Sequence, residues 1–245
     1  MVSIIIPTYC NLALLQQALE GIKSQQGVEY EVIVVDDSPN DEISNYVSNN
    51  HDLRYFHNKP SLGAVKNWNY GISLARGQYI ILHHHDEYLK DEGYLQNVIN
   101  ALNSNDVVIT NIKVDRGEGY NYLSVPNWLK CIFIRIPSLL LINNLIGPCA
   151  CVAFKKEISQ FFDTNLVWKV DSEWYYRIFR KNKRIYLKEV CVYSTHGHNG
   201  QITGTIDVYK SSIKDIEYLR GKYSSCYMKV ILYISKLIEK YKNRK

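Results

Sequence analysis

Glu31-Val32-Ile33-Val34-Val35-Asp36-Asp37-Ser38-Pro39 is the stretch on which the fold turns. An unbroken β-branched run reads as a strand buried on both faces. This one stops abruptly in two carboxylates, and Ser38 or Asn40 can cap a following helix with Pro39 in its first turn. Upstream, residues 2–6 form a second such run closed by Pro7, and Leu12, Leu15, Leu19 and Ile22 lie between the two at helical spacing. Downstream, residues 53–56 read as a third strand. Val65, Trp68, Ile72 and Ala75 mark a helix stopped by Gly77, and residues 78–82 form a fourth strand running into His83-His84-His85-Asp86-Glu87. A helix over about residues 94–102 and a strand over 107–112 complete the pattern. Strand–helix alternation of this kind predicts an α/β fold, a Rossmann-like, mostly parallel sheet flanked by helices. Ligands of such sheets bind beyond the carboxyl ends of the strands, so Asp36-Asp37 and Asp86-Glu87 are expected on one edge.

Past about residue 112 the alternation fails. Residues 128–146 are apolar but broken by Pro137 and Asn143-Asn144, residues 168–179 read as a helix, and residues 185–192 as a strand. From residue 211 the pattern is helical to the end. The expected organisation is therefore one domain over 1–210, with a sheet half (1–112) and an appended half (113–210), followed by a helical tail over 211–245. With 46% apolar residues the chain is too hydrophobic for disorder. Its net charge of +5 is too mild for a nucleic-acid binder, and no aromatic platform interleaves with basic runs. Six cysteines without a Cys-x-x-Cys pair describe neither a disulfide framework nor a zinc site. No secretory leader and no run of eighteen apolar residues is evident, so a cytoplasmic location is expected.

The two acidic clusters carry the chemistry. Asp86 and Glu87 are hard oxygen ligands suited to Mg²⁺ or Mn²⁺ and, through the ion, to a diphosphate. Asp36 or Asp37 is suited to accept hydrogen bonds from a base or a ribose. Neither Gly-x-x-x-x-Gly-Lys-Ser/Thr nor Gly-x-Gly-x-x-Gly occurs, which disfavours kinases, ATPases and dehydrogenases.

Ser3-Ile-Ile-Ile-Pro-Thr-Tyr9, Val35-Asp-Asp-Ser-Pro-Asn-Asp41, Ala75-Arg-Gly-Gln-Tyr-Ile80 and Asp86-Glu87, taken in order, resemble the family 2 glycosyltransferases of GT-A fold, strongly over residues 1–112 and more weakly beyond. The resemblance implies an inverting transfer from a nucleotide diphosphate sugar, with UDP the expected carrier and Mn²⁺ or Mg²⁺ the expected cofactor. It implies a donor site of Pro7, Thr8, Tyr9, Asp36, Asp37, Lys66, Asn69 and His85, and a metal site of Asp86, Glu87 and His198. It also implies Asp171 as the catalytic base, with Glu173 its rival, and Gly147, Pro148, Glu173 and Trp174 on the acceptor side. One departure stands out: the motif's usual Asp-x-Asp-Asp is His84-His85-Asp86-Glu87 here, leaving open which of Asp86 and Glu87 is the direct metal ligand. Family habit further implies a glycan acceptor, lipid-linked, for surface polysaccharide (O-antigen or capsule) synthesis at the inner face of a membrane. The rival readings are a nucleotidyltransferase and a non-catalytic sugar-binding derivative of the fold. The tail, with Met228, Ile231, Ile234, Leu237 and Ile238 to one side and six basic residues, suits either a helix lying on an anionic membrane or one packed on the domain.

Overall fold

The computed structural model describes residues 1–48, 52–115, 120–122, 125–197, 204 and 206–244. The first half follows the expected alternation: β1 (Val2–Thr8), α1 (Leu12–Lys23), β2 (Tyr30–Asp36), α2 (Glu42–Val47), β3 (Arg54–His57), α3 (Ala64–Leu74) and β4 (Tyr79–Leu82). β1 is flanked by β2 and β4, and β2 by β3, all in parallel register. The β-branched runs explain this. Ile4, Ile5 and Ile6 of β1 and Ile33, Val34 and Val35 of β2 are all buried, as strands sandwiched between helices must be. α3 lies close on the sheet because Gly71 has no side chain there: a Cβ would come within 2.4 Å of Ile5 Cγ2 and 3.2 Å of Val35 Cγ2.

In the second half, where the sequence alternation fails, the sheet becomes mixed. β5 (Glu87–Tyr88), α4 (Tyr94–Leu102), β6 (Val107–Asp115), β7 (Tyr120–Tyr122), α5 (Asn127–Arg135), β8 (Val152–Lys155), α6 (Val170–Phe179) and β9 (Arg184–Thr195) follow in the chain. Among the described residues the sheet runs β3-β2-β1-β4-β8-β6-β9-β5, with β7 beside β6. β8 is antiparallel to both β4 and β6, β5 is antiparallel to β9, and only β6 and β9 restore a parallel pair. The sheet is thus parallel on one side and mixed on the other.

The tail is two helices rather than one, α7 (Val208–Lys222) and α8 (Cys226–Lys242), and buried carboxylates bind it to the body. Asp215 of α7 accepts the backbone N–H groups of Val167, Trp168 and Lys169 at 3.1, 2.7 and 2.8 Å, capping the segment before α6. Glu173, fully buried in α6, accepts Arg177 Nε at 2.9 Å, Lys222 Nζ at 2.8 Å and the Tyr223 hydroxyl at 2.6 Å. In α8 the inward residues are Met228, Ile231, Leu232 and Ser235. This corrects the expected tail face, since Met228 and Ile231 point into the protein while Ile234 and Leu237 point out.

Candidate active site

The carboxyl ends of β1, β2 and β4 meet at one edge. Register pairs Thr8 with Asp36, the Asp37 N–H donates to the Thr8 carbonyl at 3.0 Å, and the His83 N–H donates to Ile5 O at 2.8 Å, carrying β4 into the histidine run. His85 Nδ1 lies 3.3 Å from the Pro7 carbonyl oxygen. Pro7, Thr8, Asp36, Asp37 and His85 are therefore neighbours, and Tyr9, nearly half exposed, stands at their rim. The Thr8 hydroxyl is buried without a hydrogen-bond partner among the described residues, which is costly unless a ligand supplies one.

The paired aspartates do more local work than their motif suggests. Asp36 accepts the Ser38 N–H at 2.9 Å and the Tyr55 hydroxyl at 2.7 Å. Asp37 accepts four donors: Asn58 Nδ2 at 3.1 Å, Ser61 Oγ at 2.6 Å, and the N–H groups of Leu62 and Gly63 at 2.7 and 2.8 Å. Burial opposes ionisation of Asp37, but those donors outweigh it and hold the carboxyl below its usual range. Asp37 thus fastens the loop before α3 through both of its carboxylate oxygens. Asn69 is likewise spent, clasping the Phe162 backbone at 2.7 and 2.9 Å, and Lys66 is exposed on α3.

Between β4 and β5 the chain makes a tight turn that Glu87 builds. Its carboxylate accepts the His84 N–H at 2.7 Å and lies 3.6 Å from His84 Nδ1. The His84 ring also packs on Trp68, centroids 4.9 Å apart. Burial disfavours charge on His84, but Glu87, with Asp86 and Asp171 behind it, outweighs burial and raises the imidazole to about 9. Burial pushes Glu87 up as well, against the pull of His84. A sunken carboxylate cluster needs a compensating positive charge, which either a protonated His84 or a bound cation can supply.

His84, Asp86 and Glu87 bring ligand atoms within 4.8 Å of one another, and His84 Nε2 is buried with no partner among the described residues. One nitrogen and two carboxylates suit Mn²⁺ well and Mg²⁺ adequately. His84 is the residue that sequence reading left out of this cluster. His198, expected as a third ligand, lies outside the described residues.

Asp171 opens α6 near this turn, and burial raises its carboxyl above the usual range against the opposing pull of His84 and Cys149. The buried Cys149 thiol donates to Asp171 Oδ1 at 3.2 Å and so orients this carboxylate. Gly147 (φ +115°) and Pro148 lead into that cysteine, and the Gly147 carbonyl accepts the Tyr175 hydroxyl at 3.0 Å. The two acceptor-side assignments on α6 are corrected. Glu173 is consumed in the tie to α7, and Trp174 is 1% exposed, stacked on Phe162 at 4.8 Å with its indole N–H on the Gln160 carbonyl.

The model of glycosyl transferase family 2 matches residues 3–162. The chain belongs to that family. The chain is 29% identical over 211 residues to an uncharacterized glycosyltransferase of Rickettsia bellii, covering 82% of its own length but 30% of the relative's. It is 29% identical over 139 residues to the glycosyltransferase GlyG of Streptococcus pneumoniae, covering 54% of this chain and 46% of GlyG. Against the first of these the chain spans under a third of the relative's length. Among solved structures it resembles S. aureus TarS 1-349 in complex with UDP-GlcNAc, with a TM-score of 0.68 and 19% identity over 94% of this chain and 70% of that one. It also resembles the mannosyltransferase PcManGT of Pyrobaculum calidifontis in complex with GDP-Man and Mn²⁺, with a TM-score of 0.67 and 18% identity over 96% and 68% of the two chains. Both likenesses concern the GT-A fold. Family membership sets aside the nucleotidyltransferase reading.

Proposed function

We propose that this chain transfers a sugar from a nucleotide diphosphate sugar, UDP-linked, to a hydroxyl of a glycan acceptor with inversion at the anomeric carbon. The observation that carries this reading is the convergence of Asp171 on the His84–Glu87 turn, beside the strand ends that hold Thr8 and Asp36. A base on one side and a diphosphate subsite on the other is the arrangement a single displacement requires. Asp171 takes the proton of the acceptor hydroxyl, the freed oxygen bonds to the anomeric carbon, and the bond to the diphosphate oxygen breaks with its electron pair leaving on the nucleotide. The Cys149 thiol holds the carboxylate in line. Asp86, with His84 and Glu87, would hold the divalent ion, Mn²⁺ or Mg²⁺. Bound there, it supplies positive charge to the departing diphosphate.

Tyr9 and the orphaned Thr8 hydroxyl are the groups left available for the nucleoside, while Asp36 and Asp37 stiffen the walls behind them. TarS and PcManGT were solved with a uridine and a guanosine nucleotide sugar respectively, so the base is the point to test first. The acceptor is proposed to be a lipid-diphosphate-linked glycan of surface-polysaccharide assembly. Incubation with a panel of UDP-, GDP- and dTDP-sugars, with and without Mn²⁺, and assay of released nucleotide tests the reading. Turnover of a UDP-sugar that Asp171→Asn abolishes is the expected result. Binding without turnover of any donor would favour the non-catalytic derivative, to which His84 in an acidic position lends its weight.

A further inference from the structure

The body and the tail each turn an apolar helix face outward. On α5, Trp128, Ile132 and Ile136 (just past the helix end) recur every four residues and are 66%, 40% and 43% exposed. On α8, Tyr227, Val230, Tyr233 and Leu237 follow one another around the side opposite Met228 and Leu232, each about half exposed. The Tyr227 hydroxyl is 2.6 Å from Ser138 Oγ, and the Ser235 hydroxyl donates to Leu141 O at 2.8 Å, so both helices flank the same short turn, Pro137–Leu141. Exposed apolar rows on two helices that flank one turn are the kind of surface that marks an interaction site.

Charge identifies what covers it. α5 contains no Asp or Glu, and the single carboxylate of α8, Glu239, is buried against Lys242 at 3.2 Å. Arg135 on α5, with Lys229, Lys240 and Arg244 on and after α8, are exposed. Aromatic residues in a row beside exposed cations form the pattern of a helix lying in a lipid interface, where Trp and Tyr sit at headgroup depth and cations meet anionic headgroups. We propose that the outward faces of α5 and α8 together form a docking surface for an anionic phospholipid membrane. The inference stands on these faces alone and does not depend on the transfer chemistry.

The test is co-sedimentation of the full chain with vesicles of phosphatidylcholine alone or mixed with phosphatidylglycerol. Binding to the mixed vesicles is expected to exceed binding to neutral ones by about tenfold or more, and to weaken as salt is raised. Tyr233→Ser/Leu237→Ser, Trp128→Ser and Lys229→Glu/Lys240→Glu should each reduce partitioning severalfold while the thermal unfolding curve stays unchanged, since all five side chains are exposed. Absence of vesicle binding, or variants that bind like the wild type, would overturn the proposal. A dimer in light scattering that the apolar variants dissolve, without lipid binding, would instead assign the face to a second copy. Donor hydrolysis in the absence of vesicles should be equal in all variants, so a failed membrane surface cannot be mistaken for a failed active site.

Discussion

On the proposed roles Asp171 serves the acceptor and Asp86 the donor, so their substitutions should fail differently. Asp171→Asn keeps size and loses the proton-accepting oxygen, so turnover should fall by about 10²–10⁴-fold with nucleotide affinity near wild type by calorimetry. If affinity collapsed too, Asp171 would belong to the donor side. Because burial raises the Asp171 carboxyl while His84 and Cys149 pull it back, the rate should climb as pH rises through that raised value and level off above it. Asp86→Ala should abolish both turnover and Mn²⁺-stimulated donor binding. Near-normal activity in that variant would shift the metal to His84 and Glu87. The position of Asp86 beyond a strand end was legible in the sequence, and the assignment proposed for Asp171 came from the family resemblance alone. His84 was not legible, since only the turn that Glu87 builds brings its ring against both carboxylates. Cys149 escaped for a similar reason: its link to Asp171 spans twenty-two positions, and no local spacing reports it.

At the scale of elements, the loop between β3 and α3 depends on one carboxylate. Asp37→Asn replaces an ion accepting four hydrogen bonds with a group that must turn an NH₂ toward donors. The cost should be about 1–3 kcal/mol, read from chemical denaturation. The pH dependence has a definite sign. The carboxyl is held below its usual range, so its contribution is fully present above about pH 4 and fades as pH falls through the lowered native value. Stability that rose on acidification would contradict this network. β1, β2, β4, α1 and α3 could be read directly because their apolar periods are uninterrupted, whereas α2 begins at Glu42 after Asp41 and not at the Ser38 or Asn40 cap expected. β8 and β5 could not. Val152–Lys155 is only four residues long, Glu87–Tyr88 only two, and both are fixed by antiparallel partners distant in the chain, a context that local pattern does not carry.

Across the whole molecule, Glu173 decides whether the tail is an appendage or part of the fold. It is fully buried and binds α6 to α7 through Lys222 and Tyr223, with Arg177 completing its shell. Asp163 takes the other side of Lys222 at 2.6 Å, so the two carboxylates share one cation between the body and α7. Removing the charge of Glu173 leaves Arg177 and part of the demand of Lys222 uncompensated in a dry site, a loss of about 3–5 kcal/mol. Glu173→Gln should therefore lower the unfolding midpoint sharply, in a single transition that includes the tail. The surviving folded molecules should turn over donor and acceptor at the wild-type rate, because this side chain faces α7 and not Asp171. A variant with unchanged stability and a raised acceptor KM would reverse the assignment and return Glu173 to the acceptor site.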